Sequence, residues 1–345
     1  MIEVTRYHDD KLIGRWLLIC AVTIFGMILL GGVTRLTESG LSMVDWQPIM
    51  GVIPPLSTAD WVYLFEQYKL FPEYQLINTG MSLDEFKQIF WFEYLHRVLG
   101  RFIGLLFFFP LMAFLWMGKV HPRLKPHLFA LLILGGCQGL MGWYMVQSGL
   151  VDRPDVSQYR LTAHLGLAIA IYGYIVWLTI GLFSPERTIR LGHASAALSL
   201  VPLVYLMILT GGFVAGTNAG LSFPTWPLMG DSFIPPALYR DGFVSVFEQV
   251  TTIHFNHRML AYATGLIVVT AALHSVLRSH DLRVRIASVL MMAAVTLQIV
   301  LGIGTVLSHV NVTIAAGHQS GAVVLLTTVL YWVHCKRTER MPSVS

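Results

Sequence analysis

Eight stretches of the chain are apolar for long enough to cross a bilayer, which takes about 20 residues of helix. They run roughly Trp16–Gly32, Trp91–Met117, His127–Gln147, Leu161–Phe183, Ala194–Gly216, Thr252–Leu277, Ile286–Leu307 and Val312–His334. Most connections between them are short and polar, but two are long: residues 33–90 and 217–251. In the first, Ser57-Thr58-Ala59-Asp60 and Ser82-Leu83-Asp84-Glu85 have the form of capping boxes that start helices. The aromatic run from Trp61 to Tyr68 behind the first box predicts an amphipathic helix lying on the outer leaflet. A helix opened by the second box and carried to Met117 would be about 54 Å long, so its first turns should project beyond the membrane. The first apolar run follows a polar segment and is long enough to span, so it is expected to remain as a helix and not to be cleaved as a signal.

The pattern also repeats. Gly31-Gly32, Thr37, Gly40-Leu41-Ser42 and Trp46 recur 180 positions later as Gly211-Gly212, Thr217, Gly220-Leu221-Ser222 and Trp226, and Ile53-Pro54-Pro55 returns as Ile234-Pro235-Pro236. His96-Arg97 and Gly104-Leu105 return as His257-Arg258 and Gly265-Leu266, Gln138 and Gly142 as Gln298 and Gly302, and His164 as His318. Each half holds an even number of spans, so both halves point the same way. The expected fold is an all-α polytopic membrane protein: eight transmembrane helices in two parallel-duplicated four-helix bundles, with a pseudo-twofold axis along the membrane normal. Residues 1–183 form the first half and residues 184–345 the second.

Composition agrees with this reading and excludes others. Of the 345 residues 55% are hydrophobic and only 12% charged, about half the charged share of a soluble protein. Disorder, a secreted disulfide scaffold and nucleic-acid binding are ruled out on that ground. Cys20, Cys137 and Cys335 are too scattered for a disulfide framework or a CxxC metal site, and no CxxCH is present for covalent haem attachment. The basic net charge of +4 follows from topology. With the amino terminus inside, fourteen of the 23 Lys and Arg fall in inner segments, Arg187 and Arg190 among them. Six, including Arg153 and Arg160, fall outside, although the outer loops are the longer ones. Both termini are therefore expected in the cytoplasm. Arg97, Arg101 and Arg258 lie within spans.

Of thirteen histidines, His8, His121, His127, His193, His280 and His334 sit in or beside inner segments and read as solvated, as do His274 and His309. Five lie inside spans: His96, His164, His254, His257 and His318. A lone intramembrane histidine commonly hydrogen-bonds across helices. Here four of the five form two repeat-related pairs, each in the first turns of a helix running inward, hence at similar depth. Two histidines on neighbouring helices can clamp a planar metal macrocycle from opposite faces through axial imidazole nitrogens. That points to two haem sites, one per half. Zinc or copper competes, but zinc usually gathers three or four ligands of mixed type; His254 and His257, at i and i+3, are the remaining small-metal candidate. Arg97 and Arg258 could receive haem propionates or snorkel to headgroups. Glu93 lies one turn before His96 on the same face, where the second half has His254. An intramembrane carboxylate is costly and usually functional, so Glu93 marks the first site as the one able to move protons, unless it is a water-exposed helix-end group. The glycines at 135, 136, 139, 142, 302 and 304 permit close approach of helices or of a flat ligand, and most of them read as packing positions.

These residues resemble the haem A synthase family. The likeness is carried by Phe92-Glu93-Tyr94-Leu95-His96-Arg97, Ala163-His164-Leu165-Gly166, Phe255-Asn256-His257-Arg258 and Gly317-His318-Gln319, with the two GLS–Trp loop segments. It extends from Trp16 to about His334 and is closest to the branch shared by proteobacteria and mitochondria. Other branches carry cysteine pairs in outer loops; this chain has none there.

The resemblance implies a haem-dependent membrane oxidoreductase of cytochrome oxidase assembly. It would turn a methyl group of haem O into the formyl of haem A by two hydroxylations and loss of water. It implies haem b iron held by His257 and His318, with Arg258 beside it. The substrate haem iron would lie between His96 and His164, with Arg97 beside it and Glu93 as the essential acidic residue. A bacterial inner-membrane location follows, with a haem O synthase and an electron donor as partners in the lipid bilayer; a homo-oligomer stays open. The alternatives are a membrane cytochrome b that only transfers electrons and a non-catalytic haem carrier or assembly factor. Glu93, present at one site only, favours the enzyme.

Overall fold

The computed structural model describes residues 2–43, 53–149, 155–184 and 197–339, with side chains from residue 9 onward. Trp46, Arg153, Arg187, Arg190, His193 and the expected span start at Ala194 lie outside the described residues, as does the side chain of His8.

Eleven α-helices are present among them: α1 (Ile2–Leu36), α2 (Thr58–Tyr68), α3 (Pro72–Leu76), α4 (Leu83–Trp116), α5 (Lys125–Val146), α6 (Gln158–Phe183), α7 (Leu200–Gly216), α8 (Ser245–Glu248), α9 (Val250–Arg278), α10 (Leu282–Leu307) and α11 (Val312–Arg337). Both expected capping boxes form: the Ser57 and Ser82 side chains accept from the backbone N–H of Asp60 and Glu85, whose carboxylates accept from the capping residues in return. Seven helices, α1, α4, α5, α6, α9, α10 and α11, are long and apolar enough to cross a membrane; α7 is apolar but has 17 residues.

The long helices pack in two rings. Helix α1 contacts α4 and α6, and α5 closes the ring between those two; α7 contacts α9 and α11, and α10 closes between them. The rings meet where α1 touches α11 and α6 touches α7 and α11. Within each ring the histidine-bearing helices, α4 with α6 and α9 with α11, are diagonal to one another and not direct neighbours.

The main apolar core fills only the end of the bundle that carries the termini. On α4, α6, α9 and α11 its buried members lie in 107–114, 169–176, 268–272 and 323–335, in every case beyond the histidine of that helix. On α1, α5, α7 and α10 they lie in 13–28, 128–131, 200–208 and 284–295, before the glycines of the repeat. The half of the bundle nearest the long loops is thus left for the histidines.

A second cluster, Phe65, Tyr68, Phe86, Phe90 and Tyr94, caps that end. It changes the expectation for α2. The helix does not lie with its aromatic face on lipid: Trp61 meets Phe90 with ring centroids 5.0 Å apart, and Phe65 meets Phe86 at 5.1 Å. The projecting turns of α4 carry Phe86, Phe90 and Tyr94 at i, i+4 and i+8, an apolar stripe that α2 covers. His334 is also half-buried, against Trp177, and not fully solvated.

Beneath this cap Asn78 Nδ2 donates to Tyr68 Oη at 2.7 Å, and Tyr68 donates to Glu73 Oε2 at 3.0 Å. Glu73 is 5% exposed. Burial pushes its carboxyl up from 4.5 to about 8, the Tyr68 bond opposes this, and the charges of Glu93, Glu38 and Asp155 add to it. The folded chain therefore holds this proton more tightly than the unfolded chain does. The associated stability is fully present below pH 4.5 and is lost as pH rises through about 8, at a slope on the order of 1 kcal/mol per pH unit at most. Thermal unfolding in detergent should show wild type losing stability relative to Glu73→Gln between pH 5 and 8. Parallel curves for the two proteins would contradict a buried, neutral Glu73.

Candidate functional site

Helix α4 presents Glu93, His96 and Arg97 on adjoining positions, and the segment after α1 folds back onto them. Thr37 Oγ1 donates to Val33 O at 2.8 Å and lies 2.7 Å from Ser39 Oγ, which turns the chain sharply at the end of α1. Ser42 Oγ then donates to Glu93 Oε2 at 2.7 Å, and the Met43 N–H donates to the same oxygen at 2.8 Å. Arg97 Nη2 donates to Glu93 Oε1 at 2.5 Å and to Met43 O at 2.9 Å. Glu93 is 3% exposed, so it is not a water-exposed helix-end carboxylate. It joins two elements: both oxygens are occupied, one by the loop and one by the guanidinium.

The second half builds the same frame with a different central group. Arg258 Nη2 donates to Phe223 O at 2.8 Å, just as Arg97 donates to Met43 O, and Nη1 donates to Leu228 O at 3.2 Å. In the place of the carboxylate, His254 Nε2 accepts from Arg258 Nε at 3.1 Å. His254 is thereby engaged with Arg258, and among the described residues no group of three or more His, Cys, Asp or Glu could hold a metal ion. Both Arg97 and Arg258 spend donors on the protein, which limits what either can offer a propionate.

The structure brings His96 towards His164, and His257 towards His318, within electrostatic range across each ring. Every one of the four rings lies over a glycine. A Cβ added at Gly31 would come 3.0 Å from His96 Nε2, and one at Gly142 would come 3.0 Å from His164 Cε1. At Gly211 and Gly302 it would come 3.4 Å from His257 Cε1 and 2.8 Å from His318 Cε1. Gly142 and Gly302 are therefore not merely helix-packing positions: a Cβ at Gly302 would force the His318 ring to shift, and one at Gly142 would press on the His164 ring. The next glycine of each pair serves the junction between rings, with Gly32 under Gln319 and Gly212 under Thr162.

The ring nitrogens have partners that sequence patterns did not single out. His257 Nδ1 lies 2.9 Å from Thr210 Oγ1, and His318 Nδ1 donates to Gln298 O at 3.2 Å. Gln138 Nε2 lies 3.2 Å from His164 Nδ1 and donates to His164 O at 3.1 Å. The available signal was the repeat itself, since Gln138 and Gln298 stand at matching positions one turn before the cradle glycines.

An apolar helical bundle with two diagonal histidine pairs, each seated on glycine and flanked by a fixed arginine, defines the class of site. The chain belongs to the cytochrome oxidase assembly protein family (COX15-CtaA), whose model matches residues 14–330. Among curated relatives, a protein named Heme A synthase from Nitrosospira multiformis is 47% identical over 336 residues, covering 95% of this chain and 94% of that one. Proteins of the same name from Paramagnetospirillum magneticum and Agrobacterium fabrum are also 47% identical, the first over 95% of this chain and 94% of its own, the second over 94% of this chain and 90% of its own.

Breaking a buried ion pair from one side leaves a charge without compensation, at a cost of about 3–5 kcal/mol, whereas removing both charges is often close to neutral. Arg97→Met should therefore lower the melting temperature markedly, and Glu93→Gln combined with Arg97→Met should recover most of the loss. If the double variant melts as low as the single one, the pair is not what joins residues 39–43 to α4.

Proposed function

We propose that this chain is a haem A synthase, an oxidoreductase that converts a methyl group of haem O to the formyl group of haem A. Its relatives carry that name over about 95% of the chain. The observation that carries the reading within this molecule is the asymmetry of two otherwise matching sites, with Glu93 in one and His254 in the other. An electron-transfer protein has no need of a carboxylate at one of two equivalent haem sites.

The residues of the second half fit a haem b. A carbonyl can only accept, so His318 carries its proton on Nδ1 and keeps the Nε2 lone pair for iron. Gly211 and Gly302 leave room for both rings to lie close against their neighbouring helices. His257 and His318 would hold that iron, with Arg258 beside it, and the group would supply one-electron redox chemistry. The substrate, haem O, is assigned to the first half between His96 and His164. There Glu93, fixed by Ser42, Met43 and Arg97, sets a negative charge one helical turn from His96, where it can offset positive charge or take a proton as the methyl is oxidised.

The two halves, 1–183 and 184–345, are read as a parallel duplication of four spans each. The equivalent ring contacts and the matching Arg97–Met43 and Arg258–Phe223 bonds support this. Helix α7, about 26 Å long at 1.5 Å per residue, is then the eighth span of a hydrocarbon core about 30 Å thick. Its place in the bacterial inner membrane, cytoplasmic termini, and partners comprising a haem O synthase and an electron donor complete the proposal.

Cells supplied with a haem O synthase should accumulate haem A when they express this chain and retain haem O when they do not, as read by extraction and chromatography. Glu93→Gln should lower haem A formation on the order of 10²–10⁴-fold while keeping the b-type spectrum; near-normal haem A would remove Glu93 from the chemistry. His257→Ala should lose most of that spectrum, and an unchanged spectrum would refute the haem b assignment. A reporter fused within 217–251 should read as periplasmic.

A further inference from the structure

The two histidine sites differ at one more position, and it lies in the most closely matched stretch of the repeat. Met27-Ile28-Leu29-Leu30-Gly31-Gly32 on α1 and Met207-Ile208-Leu209-Thr210-Gly211-Gly212 on α7 are identical except for Leu30 against Thr210. Each stretch sits directly under a histidine: Gly31 under His96 and Gly211 under His257. The single difference is therefore a hydroxyl that one histidine has beside it and the other lacks.

What the hydroxyl does follows from counting protons. Thr210 Oγ1 donates its only hydrogen to Met207 O at 2.8 Å. With that hydrogen given to Met207 O, the hydroxyl oxygen is free to accept from a His257 Nδ1–H across the 2.9 Å contact, the direction the proposal below takes. That direction places the proton on Nδ1, turns the ring to face α7, and leaves the Nε2 lone pair available. His318 is fixed in the same tautomer by the Gln298 carbonyl. Both rings of the second half are then set for ligation through Nε2 before any metal arrives.

The first half has no such arrangement. Leu30 offers no acceptor, and among the described residues His96 makes no ring hydrogen bond; its Nε2 lies against α1 at Gly31. At His164 the Gln138 amide nitrogen, a donor, lies 3.2 Å from Nδ1 and 3.4 Å from Nε2, so it fixes neither ring nitrogen as the proton-bearing one, unlike the Gln298 carbonyl at His318.

We propose that Thr210 is a positioning residue that makes His257 a permanent axial ligand, and that Leu30 leaves His96 able to turn and release. The one hydroxyl thereby assigns the resident haem to the second half and the exchangeable one to the first. This rests on the haem reading above and adds what divides the two sites by function. Outer partners of metal-binding histidines orient the ring and raise its basicity, and their loss typically costs 10–100-fold in affinity.

The test uses the purified, haem-loaded protein and compares Thr210→Val, which keeps the shape, with Thr210→Ser, which keeps the hydroxyl. Transfer of haem b to apomyoglobin should be about 10–100-fold faster for Thr210→Val, and its midpoint potential should move to more positive values because a less basic imidazole favours the ferric state less. Thr210→Ser should match wild type in both. Wild-type behaviour of Thr210→Val, or equal loss in Thr210→Ser, would overturn the proposal. His257→Ala, run in parallel, separates the two levels: if it keeps haem b, the haem assignment itself fails. If it loses haem b while Thr210→Val does not, only the role of Thr210 fails. Leu30→Thr tests the same idea without touching Thr210, which matters should Thr210→Val fail to fold. With Met27 O in place of Met207 O as hydroxyl acceptor, release of added haem O should slow at least 10-fold, and an unchanged rate counts against the proposal.

Discussion

Arg97 and Arg258 each reach across from a helix to the backbone carbonyl of a returning loop, Met43 O at 2.9 Å and Phe223 O at 2.8 Å. In an apolar bundle these guanidiniums have little water to fall back on, so the protein has to supply their acceptors. That requirement sets much of what surrounds them. The loop after α1 must return to the bundle, which places Ser42 and Met43 on Glu93. The loop after α7 must do the same, and its carbonyls at 223 and 228 meet Arg258 from above. Once the loops are pinned there, the ends of α4 and α9 are closed over, and the histidines one residue before each arginine lie under a fixed roof.

The apolar core imposes the complementary constraint from below. Its buried members stop short of the histidine on each of the four diagonal helices. Between core and roof the helices carry glycine where they face an imidazole, and dense side-chain packing, the ordinary state of a protein interior, gives way to small residues and aromatic rings. Glu73 and Tyr68 belong to the roof of the first half alone, where α2 and α3 add cover over α4 that the shorter loop of the second half does not provide. The first site is therefore the more elaborately covered of the two.

Much of this was legible in the chain before any coordinates. The long apolar runs, both capping boxes and the repeat reading of His96, His164, His257 and His318 come from spacing and residue type, which the bilayer constrains strongly. Three things were not. The face of α2 was ambiguous because an aromatic stripe suits lipid and another helix equally well; only the stripe 86–90–94 on α4 decides between them. The glycines at 142 and 302 looked like any small residues in a membrane helix, since nothing in a glycine says what lies above it. Ser42 was visible as part of a GLS motif, but its partner is 51 positions away, and a hydrogen bond at that range leaves no local pattern.

Duplication makes the remaining differences unusually informative. Two four-helix rings that share glycine seats, arginine frames and paired histidines offer nearly the same surroundings to whatever lies between the imidazoles. Chemistry that differs between them has to originate in the few positions where the repeat is broken at the site. Among the breaks that touch a histidine or its frame, two change the polar groups there: Glu93 against His254, and Leu30 against Thr210. They act on different quantities. The first changes the charge carried by the arginine frame, and so the electrostatic response to a change of charge between the rings. The second, as proposed, changes how firmly one imidazole is held, and so how long a ligated group stays. A catalyst that modifies one porphyrin while keeping another needs both kinds of asymmetry, and the proposed roles place them in opposite halves: the carboxylate beside His96, where no hydroxyl stands, and the hydroxyl beside His257, where no carboxylate stands.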